Sequence, residues 1–370
     1  MRDAIARWRD ELGDTYVLGV VRVAFGVLLF ANALRAAREL QDGYFGDVFH
    51  WPLLPENLVP SREVYGTIVA VQVLLSALVV AGHRARGALF ASAVLGAYVM
   101  FCDRLQFHHN RWALFCYSFL LAFAPCDRSF TVGTVVPATR VGPMWAARLA
   151  ALQVSIVYVA SGGSKLCDPD WRGGRVLYER VALYGQNAID AGVPEWFMHW
   201  LGQTDTTSML AKMAIATELA LAFGLWSRHA RILCLWWGLW FHITIEGTSR
   251  VEGFTWLTLA AYALFCTPDV GARKLYYDKT RFRGRVYAHA VALLDWFARF
   301  EIRPWTPDGI ERGHTIVAIR RDGVHVTGIH ALAMVVRCTP LLFPLWGPIA
   351  LATMFAKPPL SRGEADDGVV

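Results

Sequence analysis

Apolar residues in this chain form repeated runs that are separated by short polar or proline-containing segments. A helix needs roughly 20 apolar residues to cross a hydrocarbon layer of about 30 Å, and runs near that length recur along most of the chain. The pattern therefore predicts a mainly α-helical, polytopic transmembrane bundle. Its predicted spans, about eight by this pattern, lie at 16–34, 66–81, 87–102, 112–125, 145–165, 209–226, 232–245 and 254–266.

A different pattern begins after Gly271, where short segments replace the long apolar runs. Asp322-Gly323 lies between two of these segments and is typical of a β-hairpin turn. The predicted elements are, in order, a strand near 275–277, an amphipathic helix, a strand near 301–305, the hairpin over 315–326, a helix over 328–338 and an apolar, proline-broken segment over 340–356. This order is that of a small α/β domain of thioredoxin type. We expect two domains, residues 1–268 and 269–370.

Composition supports a membrane location. Hydrophobic residues make up 55% of the 370 residues, charged residues make up 18%, and the mean hydropathy is +0.35, which is too apolar for a soluble domain of this size. The net charge of +6 suits a surface lying against anionic lipid. Lysines and arginines lie between the spans and not in one stripe, so we expect no nucleic-acid partner. The seven scattered cysteines include no CxxC, so neither a disulfide framework nor a metal site is indicated.

The segments outside the spans suggest how the chain meets the membrane. Residues 1–11 are charged and amphipathic, and we expect an interfacial helix there. The loop over 35–65, rich in proline and aromatic residues, is expected to lie on the membrane surface or to re-enter it. Basic turns at 83–86 and 227–231 favour cytoplasmic termini, although arginines after Lys165 weaken that bias.

The most informative polar position is Lys165, which ends the fifth apolar run. Four small residues, Ser161-Gly162-Gly163-Ser164, precede it and leave room for a long side chain to turn inward. A turn, Trp171 and two glycines follow within 168–174. Two interpretations stay open: a buried functional amine, or an anchor that extends to the lipid headgroups.

Among the ionisable residues inside the predicted spans, three more are candidates for function. A charge at that depth faces the bundle interior or a wet cavity, so Arg22 and Glu218 are candidate substrate contacts. Their alternative is an ion pair with each other. His242 is a candidate for positioning substrate or passing protons, or for a satisfied interhelical hydrogen bond.

Polar and aromatic residues outside the apolar runs complete the candidate set. His108, His109 and Asn110 precede the fourth span, where they could act in catalysis or cap the following helix. Trp171 is a candidate substrate contact, with interface packing as its alternative.

These motifs together resemble the horizontally transferred transmembrane (HTTM) domain, the membrane part of vitamin K-dependent gamma-carboxylase and its bacterial relatives. The resemblance covers about residues 12–268. It rests on Arg22 with Gly26, on the His-His-Asn loop, on the run SGGSKLCDPDWRGG over 161–174, and on Glu218 and His242.

The resemblance implies a specific chemistry. Lys165 is implied to be the base that deprotonates a reduced quinone, of the vitamin K or menaquinol type, and one of His108, His109 and Asn110 takes the role of the family's histidine. Oxygen-dependent epoxidation would then generate a strong base that removes an unactivated proton, such as a glutamate γ-proton, and the carbanion would capture CO2. The implied co-substrates are O2 and CO2, with no metal, and the implied partner is a peptide or small protein.

Other functions stay open beside this one. The chain could mature a small toxin peptide without quinone chemistry, or it could be a transporter or a lipid- or peptide-binding scaffold. In each case we expect a multi-pass protein of the bacterial inner membrane.

The tail resembles a second family, the DCC thiol-disulfide oxidoreductases. Tyr277-Asp278 keeps the opening of that family's motif, but Arg281 and Gly284 stand where the two cysteines belong. Dithiol exchange needs both thiols. The resemblance therefore implies a thioredoxin-like fold without redox activity.

Overall fold

The computed structural model describes residues 9–42, 51–133, 140–249, 253–266, 272–305 and 315–356 of the chain. The chain divides into two compact units, Met1–Asp269 and Val270–Val370. Most of the predicted N-terminal interfacial segment, residues 1–8, lies outside the described residues.

The first unit is mainly helical. Its described helices are, in chain order, α1 (Tyr16–Asp42), α2 (Arg62–Ala81), α3 (Ala85–Phe101), α4 (His109–Leu121), α5 (Trp145–Cys167), α6 (Pro169–Arg172), α7 (Arg175–Asp190), α8 (Glu195–Leu201), α9 (Thr204–Gly224), α10 (Arg231–Ser249) and α11 (Phe254–Tyr262). A helix therefore occupies each of the eight predicted apolar runs.

Among the described residues, three helices are long and apolar enough to cross a membrane: α1 over Tyr16–Arg38, α2 and α5. Helix α3 and the segment Phe254–Cys266 are also apolar but shorter. At 1.5 Å per residue, the 17 residues of α3 span only about 26 Å. The count of eight membrane crossings therefore stays a prediction.

Two of the predicted loops contain more helix than expected. Helix α1 continues to Asp42, although the sequence analysis ended the span near Leu34 and started a loop at Arg35. That boundary was wrong because alanine, arginine, leucine and glutamate, all strong helix formers, fill the extension. The connection between the fifth and sixth predicted spans contains the short helices α6, α7 and α8.

A two-stranded antiparallel sheet, which the sequence analysis did not predict, joins two helix starts. β1 (Leu12–Asp14) pairs with β2 (Val141–Pro143), and β1 leads into α1 while β2 leads into α5. Arg140 donates from Nη2 to Asp14 Oδ2 at 2.9 Å beside this ladder. The ladder therefore brings the N-terminal ends of α1 and α5 together.

Close packing between α5 and α9 is set by one glycine. A Cβ at Gly162 would lie 3.1 Å from the Leu219 side chain and 3.3 Å from Glu218 Cβ. A side chain at this position would be in tight contact with α9, so the Leu219 side chain would have to shift. Gly162 thus allows the middle of α9 to approach the last turns of α5.

The second unit is a small α/β unit. Its elements are β3 (Arg273–Tyr277), α12 (Phe282–Leu294), β4 (Phe300–Pro304), β5 (Ile316–Ile319), β6 (His325–Thr327), α13 (Gly328–Cys338), a 3-10 turn (Pro340–Leu345) and α14 (Trp346–Thr353). The strand order is β4-β3-β5-β6, with β3 and β4 parallel and the other pairs antiparallel. The predicted strands, hairpin and helices of the tail are therefore present in the predicted order.

The core of the second unit lies between the sheet and its helices. Its buried members are Leu275, Val291, Ala318, Val326, Ala331 and Val335. The hairpin turn uses Gly323 at φ 80°, a left-handed conformation that glycine adopts at little cost.

The positions that correspond to the absent cysteines lie at the start of α12. Arg281 is the residue that caps this helix, and Gly284 is in its first turn. A Cβ at Gly284 would lie 2.4 Å from the Asp278 carbonyl oxygen. A cysteine at position 284 would therefore require the backbone to move.

Candidate functional site

A cavity of about 600 Å³ lies within the first unit, walled by residues of α4, α5, α6, α7, α9, α10 and α11. This volume falls in the range of about 300–1,000 Å³ that is typical of small-molecule sites. The walls are largely apolar and aromatic. The polar lining residues that matter below are His109, Asn110, Tyr158, Ser161, Lys165 and Glu218.

Lys165 lies in the last turn of α5 and its amine turns into this cavity. Nζ is 2.5 Å from Glu218 Oε1 and 3.0 Å from Ser161 Oγ. It also lies 4.8 Å from the centroid of the Trp171 ring, a cation–π distance. The side chain is 17% exposed. Of the two interpretations of Lys165, this geometry fits an amine that turns into the protein and not one that extends to the lipid headgroups.

Local sequence explains why these groups meet. Ser161 and Lys165 are four residues apart, so they share a face of α5. Asp168 then accepts the backbone N–H of Asp170, and Pro169 occupies the first position of α6. Asp168 is extended and separates α5 from α6, and Trp171 on α6 lies against the lysine side chain.

Glu218 supplies the negative charge of the cluster from the middle of α9. Its side chain is 2% exposed, and Oε1 pairs with Lys165. Within the described residues, Oε2 has no hydrogen-bond partner. A buried acceptor without a donor is costly, so this oxygen can accept a hydrogen bond from a ligand in the cavity.

Arg22 is fully buried but does not line the cavity. Its Nη2 donates to the Phe130 carbonyl oxygen at 2.6 Å, and Gly82 at the end of α2 packs against its guanidinium. The predicted alternative, an ion pair between Arg22 and Glu218, was wrong because Glu218 pairs with Lys165. Depth in a span does not say which side of the helix a charge occupies.

His242 lies one side chain behind the cavity wall. It is fully buried on α10, and its Nε2 is 2.6 Å from the Tyr158 hydroxyl. The same hydroxyl is 2.5 Å from the Tyr262 hydroxyl. His242 therefore makes an interhelical hydrogen bond through Nε2, which was its structural alternative, whereas its buried Nδ1 has no partner among the described residues. Tyr158 connects His242 to the cavity.

Neither Tyr158 nor Tyr262 was predicted from the sequence as a site residue. A signal for Tyr158 was available, because it precedes Lys165 by two helical turns on the same face of α5. No comparable spacing marked Tyr262, whose position depends on how α11 packs against α5.

Of the three residues before the fourth span, two reach the cavity. His109 and Asn110 line it at the start of α4. His108 instead caps this helix, since its Nδ1 accepts the Asn110 backbone N–H at 3.3 Å. Burial lowers the pKa of His108, and the nearby charges of Arg35 and His109 lower it further. The neutral imidazole that the cap needs is thereby favoured.

Comparison with known families finds a match over most of the chain. A model of the HTTM domain matches residues 12–270. No curated protein and no solved structure matches the chain significantly. The matched range contains every residue of the cavity described above, whereas the second unit lies almost entirely outside it.

Proposed function

Because the chain belongs to the HTTM domain family, we propose that its first unit is a membrane enzyme that deprotonates a reduced quinone. The membrane location itself rests on the family and on the three apolar helices. One observation carries the enzymatic proposal: Lys165 pairs with the buried carboxylate of Glu218 at the wall of a small-molecule-sized cavity, and the second carboxylate oxygen has no hydrogen-bond partner among the described residues.

The donor set of the cavity fits a reduced quinone of the vitamin K or menaquinol type. Such a molecule is a flat apolar ring with two hydroxyl groups. Trp171, Phe241 and Phe254 offer aromatic surface for the ring. Glu218 Oε2 offers an acceptor for a hydroxyl, and His109 and Asn110 offer further polar contacts.

The proposed proton transfer begins with the ion pair. An apolar ring that fills the cavity removes water from Lys165 and Glu218, and loss of water disfavours two separate charges. The ammonium proton can then pass to the carboxylate, which leaves a neutral amine and a neutral carboxylic acid. The amine takes the phenolic proton: the O–H bond breaks, a new N–H bond forms, and the net charge of the site is unchanged.

The remaining polar residues act around this step. The ammonium formed on Lys165 is next to the oxyanion and offsets its charge. His109 or Asn110 orients the ligand oxygens, and His108 positions both of them by capping α4. Tyr158 lines the cavity and forms hydrogen bonds with Tyr262 and His242, so these three buried side chains could hold the Tyr158 hydroxyl in place for the ligand.

When bound, the reduced quinone would supply the reactivity toward O2 from which the family resemblance derives both the epoxidation and the strong base. That base would take a carbon-bound proton from a peptide or small protein, and the carbanion would capture CO2. The proposal places this reaction in a multi-pass protein of the bacterial inner membrane. It assigns the second unit a thioredoxin-type fold without dithiol chemistry, supported by its mixed sheet and by Arg281 and Gly284.

The transport alternative receives less support from the geometry. A pathway lined by Arg22, Glu218 and His242 would need the three side chains to face one channel. Only Glu218 lines the cavity, and Arg22 contacts the segment after α4 instead.

The proposal is tested with the purified full chain in lipid nanodiscs. Reduced vitamin K and a menaquinol are supplied with and without O2, and the quinone epoxide is measured by mass spectrometry. We expect epoxide that depends on both protein and O2. Folded protein that yields no epoxide above the protein-free control with either quinol would refute the proposal.

A further inference from the structure

The second unit contains a pocket of about 480 Å³ in which positive charge is concentrated. Four arginines line it and come from three different elements: Arg273 from the start of β3, Arg320 and Arg321 from the turn after β5, and Arg337 from the last turn of α13. Asp322 is the acidic residue of the described lining, and it pairs with Arg320 at 2.9 Å. The lining therefore carries a formal excess of three positive charges.

Neighbouring structure explains only part of this cluster. Arg337 near the C-terminus of α13 is favourable for the helix dipole. Burial lowers the pKa of Arg337, and repulsion from the other three arginines lowers it further. The pocket therefore brings like charges close together. A bound anion would relieve that repulsion.

Beside the charged residues, the pocket wall contains His330, Thr353 and several apolar side chains, and the apolar surface continues beyond it. Met334 on α13 and Trp346 and Ala350 on α14 line the pocket. The segment that contains α14 also exposes large apolar side chains to the exterior, namely Leu341, Leu345, Leu351, Met354 and Phe355, the last at 86% exposure. The segment that contains α14 therefore contributes both to the wall of the basic pocket and to an exposed apolar surface next to it.

We propose that this pocket binds the phosphate group of an anionic phospholipid, while the exposed apolar residues of 341–355 enter the acyl-chain region. The guanidinium group is a planar fork that pairs with phosphate oxygens in a bidentate way. A soluble phosphate compound would use the same arginines but would leave the apolar surface in water. The chain already lies in a membrane through its first unit, so anionic lipid is available to the second.

The test uses the full chain in a neutral detergent and short-chain fluorescent phosphatidylglycerol, with phosphatidylcholine of the same chain length as the neutral comparison. The main variant is Arg320→Gln with Arg321→Gln, two exposed turn residues whose replacement leaves the core intact. Arg283→Gln, an exposed arginine on α12 outside the pocket, is the matched control. Arg337→Gln is the second variant, so that the result does not depend on the turn alone.

We expect wild type and Arg283→Gln to bind phosphatidylglycerol more tightly than phosphatidylcholine. The double variant should lose about thirtyfold and Arg337→Gln about fivefold in affinity for the anionic lipid, at roughly 1 kcal/mol for each arginine removed. Unchanged phosphatidylglycerol binding in both pocket variants would overturn the site. Inorganic phosphate that displaces the lipid at equal concentration would overturn the lipid assignment, because the apolar surface would then contribute nothing. Neither outcome depends on quinol turnover.

Discussion

Lys165 and Glu218 form an ion pair between helices α5 and α9, with 2.5 Å between Nζ and Oε1. They are 53 residues apart in the chain, and Gly162 is the position that lets their helices approach. A buried pair of this kind is a poor source of stability, because desolvation offsets much of the attraction. The proposed proton transfer accounts for the presence of this ion pair, whereas a contribution to stability does not.

The stability of the first unit should depend on the two charges jointly. Lys165→Met leaves a buried carboxylate without its counter-charge, so we expect a loss of about 2–4 kcal/mol. Adding Glu218→Gln removes the stranded charge and should restore part of that loss. Denaturant unfolding of the two single variants and the double variant measures the coupling. Additive losses would contradict the ion pair.

Gly162 should tolerate a side chain far less well than its neighbour Gly163. Valine at 162 would press on Leu219 and the base of Glu218, whereas a Cβ at 163 meets nothing within 4 Å. We expect Gly162→Val to cost about 1–3 kcal/mol more than Gly163→Val. Thermal melting of both variants in the same detergent measures the difference. Equal melting temperatures would mean that α5 and α9 are not in close contact here.

His108 should make the first unit less stable in mild acid. Burial lowers the pKa of His108 in the folded protein, below the usual value of about 6.5. The neutral form therefore contributes stability that is complete above about pH 6.5 and is lost as pH falls through the lowered pKa. Protonation also removes the Nδ1 acceptor that caps α4.

The matched variant is His108→Asn, which keeps a capping side chain but does not titrate. The melting temperature of wild type should fall relative to this variant between about pH 7 and pH 5. Parallel curves over that range would show that the cap does not depend on neutral His108.

Sequence patterns were sufficient for a helix in each of the eight apolar runs and for the elements of the second unit, because both depend on local periodicity. They did not predict the end of α1 or the short helices α6, α7 and α8. They also identified Lys165 and Glu218 separately. The contact between them could not be predicted, since it depends on how two helices distant in sequence pack side by side. The predicted pairing of Arg22 with Glu218 failed for a similar reason. The sequence indicates how deep Arg22 lies in its span, but not which side of the helix its side chain occupies.

The short strands β1 and β2 were missed for a different reason. Three residues that include glycine or proline give no alternation to detect. Tyr158 and Tyr262 were missed because a tyrosine in an apolar helix is usually interpreted as a packing residue. The hydrogen-bond partner of its hydroxyl is known only from the structure.

The most direct test of the central proposal compares two lysines. Epoxide formation from a reduced quinone and O2 is measured for wild type, Lys165→Ala and Lys212→Ala, the last being an exposed lysine on α9. We expect Lys212→Ala to match wild type and Lys165→Ala to lose at least about a hundredfold in rate, as removal of a general base does. Full turnover by folded Lys165→Ala would contradict the assignment of this amine as the base.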